Sequence, residues 1–322
     1  MTGVSAPVLL VVHRRPDLTR RVFDAIAQAR PRRLFIAADG PATAADREAC
    51  EATRAAVQRV DWDCEVCRDF SDENLGLDRR MISALNWIFA DEESAIVLED
   101  DCLPDRRFFG FCSSLLDHYR HESRVMHISG ECYRNEREGN DSYFFSKYPL
   151  VWGWATWRRA WDRFDPRITD WPRFAKQPEV QSLFDSADER AYWLSTFARF
   201  HEDAAAGRPA SWDYAWYFAC MTNGLSIPPA ANLVSNIGYG PMASHTREAS
   251  PLADRLVEPL EQNLRHPDSI VRDRHADMDT FDRRFPGALL KHQRSLRHQL
   301  GRPARWALRM MRRGFASQRV DP

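Results

Sequence analysis

The stretch AIVLEDDCLPDRRFF, residues 95–109, joins a short apolar run to three consecutive acids. The apolar part is too short for an isolated helix and is typical of a buried strand. Glu99, Asp100 and Asp101 follow it directly, and Pro104 then predicts the first turn of a helix. The acids by themselves leave two interpretations open, a solvated surface turn and a site that holds a cation.

The composition indicates a globular protein without an overall electrostatic bias. The chain has 322 residues, is 44% hydrophobic and 28% charged, and carries a formal net charge of −1. This length is enough to bury a sizeable core in one large domain or two smaller ones. The near-neutral charge argues against a whole-protein nucleic-acid binder. No apolar run is long enough to span a bilayer, and the seven scattered cysteines fit reduced thiols, so we expect a cytoplasmic protein.

The first half of the chain alternates strand and helix signals. The predicted strands cover residues 6–13, 32–40, the region around Cys64, 94–99 and 124–129. The predicted helices cover residues 16–30, 43–59, 77–91 and a segment that begins at Pro104. Such alternation predicts an α/β fold with a mainly parallel sheet flanked by helices.

Polar clusters follow several of these predicted strands. Asp39 ends the second strand, and the three acids end the fourth. Because ligands bind beyond the carboxyl ends of strands in such sheets, these clusters predict a ligand-binding site. Carboxylates suit Mg²⁺ or Mn²⁺ shared with substrate phosphates, and basic side chains would contact the phosphates themselves. The basic candidates, of which we expect at least two to be solvated surface charges, are His13, Arg14, Arg15, Arg79 and Arg80.

The second half contains an acid between aromatic residues. In SWDYAW, residues 211–216, Asp213 lies between Trp212 and Tyr214. An apolar neighbourhood makes a carboxylate a better general base, and aromatic rings suit the apolar face of a sugar. The alternative is that Ser211 or Asp213 is the N-cap of a helix.

Further candidates come from other segments of the second half. In VWGWATW, residues 151–157, Trp152 and Trp154 are candidates for the wall of an acceptor site, with core packing as the alternative. His245 is a candidate metal or phosphate ligand, with a structural histidine as the alternative. The last stretch, from about Lys291, is basic with interleaved apolar residues. It fits an amphipathic helix on an anionic membrane or a solvated or oligomeric helix.

Four stretches together resemble nucleotide-sugar-dependent glycosyltransferases of the GT-A fold, and among these the N-acetylglucosaminyltransferase I type. The stretches are VLLVVHRRPDLTRRVFDAI, LFIAADG, ISALNWIFADEESAIVLEDDCLPDRRFF, and SWDYAW followed by IPPAANLVSNIGYGPMASHT. The resemblance implies a GT-A domain over residues 1–260, with a nucleotide-binding half at 1–135 and an irregular acceptor half at 136–260. A helical basic extension would follow at 261–322.

The resemblance also implies roles for individual residues. Asp213 falls on the catalytic base of the family, and Asp101 on the residue that binds the metal directly. Trp212 would line the acceptor site. Arg80 stands where the family has a histidine near the phosphates. The remaining donor contacts that the resemblance implies are Arg14, Asp39, Glu99 and Asp100, with Ser244 in the loop that orders over the bound donor. His13 and Arg79 stay candidate donor contacts, and His245 a candidate metal ligand, on their residue types alone.

The resulting expectation is an inverting hexosyl- or N-acetylhexosaminyltransferase of polysaccharide biosynthesis that depends on Mn²⁺ or Mg²⁺. It would use a UDP-sugar donor and a glycan or lipid-linked acceptor. The family is membrane-anchored and luminal, whereas we find no anchor, which favours the cytoplasm or the inner face of the cytoplasmic membrane. The alternatives are a metal-dependent nucleotide-sugar phosphohydrolase or pyrophosphorylase-like enzyme and a non-catalytic sugar-nucleotide-binding protein.

Overall fold

The strands and helices follow the predicted alternation in the first half of the chain. The computed structural model describes residues 4–134, 139–208, 211–239, 252, 254–261 and 263–291. Its strands are β1 Val8–Val12, β2 Arg33–Ala38, β3 Glu65–Phe70, β4 Ser94–Glu99, β5 Cys102–Pro104, β6 Val125–Ser129, β7 Trp154–Trp157, β8 Leu225–Ile227 and β9 Val234–Asn236. Its α-helices are α1 Pro16–Ala29, α2 Arg47–Ala56, α3 Leu77–Asp91, α4 Arg106–His118, α5 Arg158–Trp161, α6 Trp171–Phe174, α7 Val180–Leu183, α8 Ala187–Ala205, α9 Trp212–Asn223 and α10 Arg274–Arg284.

The central sheet has seven strands in the order β3-β2-β1-β4-β7-β6-β8. Strand β1 pairs in parallel with both β2 and β4, and β2 pairs in parallel with β3. Strand β7 is antiparallel to its neighbours β4 and β6, and β8 pairs in parallel with β6. The predicted α/β class with a mainly parallel sheet is therefore confirmed.

Helices cover both faces of the sheet, which leaves its central strands buried on both sides, whereas the edge strand β3 is partly exposed. On one face, Leu10 of β1 belongs to a core cluster with side chains of α1 and α4. On the other face, Leu9 belongs to a cluster with side chains of α3 and α9. The alternation of side chains along a strand produces this division. The parallel pairing of β1 with β4 places the residues that follow these two strands at the same edge of the sheet.

The residues after the three acids differ from the prediction. Pro104 was expected in the first turn of a helix, but it is the last residue of β5, which pairs with β9. Helix α4 begins at Arg106, and Asp105 is its N-cap because the Asp105 carboxylate accepts a hydrogen bond of 2.9 Å from the Arg107 backbone N–H. A side-chain cap at Asp105 thus replaces the predicted proline start.

The tryptophan-rich segment supplies a strand that the sequence did not predict. Strand β7 inserts between β4 and β6, so the second half of the chain completes the sheet of the first. Gly153, just before β7, has a φ of +66°, and a Cβ there would overlap the side chain of Val234. Glycine is therefore required for the close approach of this backbone to Val234.

Helix α10 lies in the predicted C-terminal extension and packs against the body of the protein. Phe281 joins a buried cluster with Tyr148 and Trp193, and Phe285 packs against that cluster. Residues 292–322 lie outside the described residues, so the membrane contact of the basic tail stays a prediction. Among the helices in the described ranges, none is both long and apolar enough to cross a membrane.

His127 on β6 is a fully buried histidine held in one neutral tautomer. Its Nδ1 accepts a hydrogen bond of 3.1 Å from the Trp216 indole N–H, so its Nε2 is the protonated nitrogen and donates to the Leu150 carbonyl at 2.9 Å. The ring also stacks on Trp154 with centroids 5.1 Å apart. Burial lowers the pKa of His127 to about 3.

We expect this histidine to make the protein less stable as the pH falls below about 6.5, where the unfolded chain takes up a proton that the folded chain does not. The loss from this group is about 1.4 kcal/mol per pH unit and continues to about pH 3. Urea unfolding between pH 6.5 and 5 measures it. In His127→Phe this part of the slope should disappear, whereas His121→Gln, at an exposed histidine, should keep it. An NMR titration midpoint of His127 near 6.5 would contradict the prediction.

Candidate functional site

The three acids lie at the carboxyl end of β4, beside the end of β1. The Asp100 side chain is buried, and the Asp101 side chain is 16% exposed. Arg15 bridges the two: one guanidinium nitrogen contacts Asp100, and another lies 2.9 Å from Asp101 Oδ2. Burial disfavours the charge of Arg15, but the acids outweigh it and hold the pKa of Arg15 above its usual range. Glu99, Asp100 and Asp101 together form what we call the acidic edge of the sheet. The guanidinium of Arg15 therefore already occupies part of this acidic edge.

Glu99 is an acid of this segment whose pKa is strongly raised by its surroundings. Burial, followed by the charges of Asp101 and Asp100, raises the pKa of Glu99 to about 8. The charge of Asp213 also contributes to this shift, whereas Arg15 opposes it. Asp213 of α9 is therefore within electrostatic range of the acidic segment. Such a perturbed carboxyl group at a sheet edge is typical of a functional site.

The segment that follows β9 packs directly on Asp101. The Ile237 backbone N–H donates a hydrogen bond of 2.8 Å to the Asp101 carbonyl. Gly238 approaches so closely that a Cβ at this position would overlap the Asp101 carboxylate. Glycine is thus needed for the Asp101 side chain to keep its position, and the sequence alone did not single out Gly238.

The residues after β1 have different partners. The His13 backbone N–H donates to Asp100 Oδ2 at 3.3 Å, and its imidazole Nε2 is 3.0 Å from the Gly40 carbonyl. His13 thereby links the ends of β1, β2 and β4. Arg14 is exposed and forms an ion pair with Asp46. Contacts of His13 and Arg14 with a donor stay predictions.

The predicted donor contacts on β2 and α3 are engaged within the protein. The Asp39 carboxylate accepts hydrogen bonds from the backbone N–H groups of Gly40, Leu75 and Gly76 and from the Asn74 amide, at 2.8–3.0 Å. These four donors fill the acceptor positions of a carboxylate, which gives Asp39 a structural role in joining the loops after β2 and β3. Its contact with a nucleoside stays a prediction.

Arg80 is buried rather than directed at a ligand. Its guanidinium donates to the Asp69 carboxylate at 2.8 Å and to the Asp69 carbonyl at 2.6 Å, which fastens α3 to β3. Arg79, the neighbouring candidate, is exposed. Arg80 is thus a buried structural cation and not the solvated surface charge expected for some of the basic candidates, and its contact with a phosphate stays a prediction.

Asp213 lies in the first turn of α9, and Ser211 is the N-cap residue. The Asp213 carboxylate accepts hydrogen bonds from the Ser211 hydroxyl and the Tyr214 backbone N–H. The start of the helix is fastened to α3, because the Trp212 backbone N–H donates to Asp78 at 2.7 Å. Asp78 therefore positions the predicted base, although no sequence signal distinguished it from other first-turn acids.

A cavity of about 180 Å³ opens beside Asp213. Besides Asp213, its lining residues are Tyr192, Tyr214, Tyr217, Arg284, Phe285 and Pro286. Rings of this kind offer apolar faces to a sugar, and their hydroxyl groups can take part in hydrogen bonds. Arg284 and Tyr192 come from segments that the sequence did not associate with the site.

The three candidate acceptor tryptophans are not equivalent. Trp154 and Trp212 are 1% and 3% exposed and stack on each other with centroids 5.8 Å apart. An acceptor cannot reach rings buried to this degree, so the prediction for these two is wrong and both belong to the core. Trp152 is only partly buried, and the Arg284 guanidinium lies over its ring at 4.4 Å.

The acidic edge does not form a complete protein cage for a metal ion. Within the described ranges, no three histidine, cysteine or acidic side chains are arranged to hold a metal. A carboxylate such as that of Asp101 is a ligand that Mn²⁺ or Mg²⁺ accepts together with phosphates and water, and metal binding here stays a prediction. Ser244 and His245, the candidates in the segment after Gly238, lie outside the described residues.

Comparisons with known proteins add little to this picture. No family profile matches the chain, and no curated protein matches it in sequence. Among solved structures, the chain is similar to a UDP-glucose pyrophosphorylase in complex with UDP-glucose, at 8% identity and a TM-score of 0.34. The match covers 70% of this chain and 90% of the pyrophosphorylase.

Proposed function

We propose that the protein is an inverting glycosyltransferase that moves a sugar from a nucleoside-diphosphate sugar, with UDP as the expected nucleotide, to a hydroxyl group of a glycan or lipid-linked acceptor. One observation carries the proposal. Asp213 faces an aromatic-lined cavity and is also within electrostatic range of the acids at the carboxyl edge of the sheet. The two groups that the reaction requires, a base for the acceptor and a polar edge for the donor, thus lie within electrostatic range of each other.

In the proposed reaction the acceptor hydroxyl donates its proton to the Asp213 carboxylate. The acceptor oxygen forms a bond to the anomeric carbon while the bond between that carbon and the diphosphate oxygen breaks, and its electron pair leaves with the diphosphate. A single displacement of this kind inverts the configuration at the anomeric carbon. The hydrogen bonds from Ser211 and Tyr214 hold the carboxylate in one orientation.

The acidic edge would serve the leaving diphosphate. A divalent ion held by Asp101 would supply positive charge to that group when it is bound. Arg15 is held beside it by Asp100 and would add a permanent positive charge. Glu99, whose pKa burial and the charges of Asp101 and Asp100 raise to about 8 in the absence of a cation, would form a hydrogen bond with a donor hydroxyl.

Asp101→Asn is expected to weaken binding of the nucleotide sugar at least about tenfold, which corresponds to about 1.4 kcal/mol. The substitution keeps the shape next to Gly238 but removes the charge that a hard cation requires. Calorimetric titration of UDP-glucose, UDP-N-acetylglucosamine and GDP-mannose in Mn²⁺, Mg²⁺ or chelator measures the effect. Chelation should weaken binding by the wild type and change little in the variant.

Asp91→Ala provides the matched control, because Asp91 is exposed and precedes the opposite end of β4. It should bind as the wild type does. The proposal fails if no nucleotide sugar binds in a metal-dependent manner, or if Asp101→Asn binds like the control. Release of sugar phosphate instead of free nucleoside diphosphate would favour a phosphohydrolase or pyrophosphorylase. Donor binding with no turnover on any acceptor would favour a binding protein.

A further inference from the structure

Arg284, at the C-terminal end of α10, is a cation whose guanidinium forms no ion pair with the residues that the structure describes. Its Nε is inaccessible to solvent and has no hydrogen-bond partner. Within the described residues, no acid forms an ion pair with its guanidinium, which instead lies over the Trp152 ring at 4.4 Å. A stacked ring orients a guanidinium but does not satisfy its N–H groups.

The groups around Arg284 favour its charge, but within the described residues none of them forms a direct ion pair with it. Glu131 is the nearby carboxyl group, but it is 2% exposed and already accepts hydrogen bonds from the Tyr133 hydroxyl at 2.6 Å and the Trp152 backbone N–H at 3.1 Å. Burial raises the pKa of Glu131, and the charge of Arg284 opposes this shift. Burial also raises the pKa of Tyr217, so this phenol is uncharged. Burying a cation without an ion pair costs free energy, unless a bound anion supplies the missing charge and hydrogen-bond acceptors.

Arg284 lines the same cavity as Asp213. Three tyrosines and Phe285 make up most of the remaining wall. The acids at the end of β4, where the diphosphate of the donor is proposed to lie, do not line this cavity. Arg284 therefore lines the cavity in which the proposed function places the acceptor.

We propose that Arg284 binds an anionic group, a carboxylate or a phosphate, on the acceptor whose hydroxyl group Asp213 deprotonates. The identification of the bound molecule as the acceptor rests on the proposed function, whereas the binding of an anion by Arg284 does not. A guanidinium presents parallel N–H groups that match the paired oxygens of either anion. The acceptor class is accordingly an acidic sugar, either a uronic acid or a sugar phosphate, and not a neutral glycan.

The test measures dissociation constants by NMR titration of the full chain with methyl glucuronide, glucose 1-phosphate and neutral methyl glucoside. The wild type is expected to bind at least one anion about tenfold more tightly than the neutral glucoside, with a preference that falls as sodium chloride is raised. The stronger of the two anions identifies the carboxylate or the phosphate as the recognised group.

Variants at neighbouring positions then locate the site. Arg284→Gln should lose the preference for the anion, and Arg284→Lys should keep part of it because the charge remains. Arg283→Gln is the matched control, because Arg283 is the adjacent residue of α10 and is exposed. It should keep the full preference. Equal binding of all three probes by the wild type, or an equal loss in Arg283→Gln, overturns the inference, and the wild-type result stands even if a variant does not fold.

Binding of UDP with Mn²⁺ in the same preparations separates this inference from the proposed function. Arg284→Gln should bind UDP as the wild type does. A loss of UDP binding as large as the loss of anion binding would place Arg284 in the donor site and overturn the acceptor assignment. An Arg284-dependent anion preference in a protein that binds no UDP would support the anion site and contradict the glycosyltransferase.

Discussion

Asp213→Asn is expected to lower the rate of sugar transfer at least about a hundredfold while donor binding changes little. The asparagine carbonyl can still accept the hydrogen bonds from the Ser211 hydroxyl and the Tyr214 N–H, so the first turn of α9 keeps its geometry. What is lost is the ability to take a proton from the acceptor. The loss should therefore appear in the maximal rate rather than in the affinity for the sugar nucleotide.

The rate is measured as release of UDP from the sugar nucleotide that binds most tightly, with water, methyl glucoside or methyl glucuronide as acceptor. Glu202→Gln is the matched control, because it replaces an exposed carboxylate on α8 in the same half of the protein. It should turn over as the wild type does. If Asp213→Asn retains more than about a tenth of the wild-type rate, another group is the base.

Lys147→Met is expected to lower the free energy of unfolding by about 3–5 kcal/mol, because it breaks a buried ion pair from one side. The Lys147 side chain is 1% exposed, and its ammonium group lies 2.9 Å from Asp185 and 2.8 Å from Glu189. It also donates to the Leu183 carbonyl at 3.2 Å. Arg272 and Arg274 remain next to Asp185, but the Glu189 carboxylate would lose its cation.

Urea unfolding followed by circular dichroism measures this loss. Arg173→Met removes the cation of the exposed pair with Asp170 and should change stability far less, since water and salt screen that pair. Adding Glu189→Gln to Lys147→Met should restore part of the stability, because it removes the uncompensated charge. A variant as stable as the wild type would show that Lys147 is neutral or dispensable in the fold.

This network has a consequence for the candidate site. The ion pairs of Asp185 with Arg272 and Arg274 hold the start of α10 against the segment before α8, and Lys147 fixes Asp185 in that network. Arg284 is at the other end of α10, and Tyr192 of α8 lines the same cavity. We therefore expect anion binding to weaken in Lys147→Met even where the protein remains folded.

The first half of the fold was predictable because its signals are local. The apolar runs of β1, β2 and β4 and the helical spacing of α1 and α3 are properties of adjacent residues, and each was predicted within a few positions. The parallel arrangement of these strands brings their carboxyl ends to one edge. The grouping of the β1 and β4 ends could therefore be inferred before any coordinates were known.

The second half was less predictable because the burial of its side chains depends on residues that are distant in the sequence. Strand β7 is buried between β4 and β6, so its tryptophan-rich run has no alternation to mark it as a strand. The same burial removed Trp154 and Trp212 from the acceptor site. Composition suggested an aromatic wall, but only the packing determined which rings remained accessible.

The sequence by itself determined the α/β class, the acidic edge after β4 and the aromatic-flanked acid at Asp213. The tertiary structure alone decided the partners of the charged groups: Arg15 with Asp100 and Asp101, Arg80 with Asp69, and Asp78 with an N–H group 134 residues away. It also brought Arg284 to the cavity of Asp213. The reason is physical: periodicity reflects neighbours in the chain, whereas the partner of a charge depends on which distant segments the folded sheet brings together.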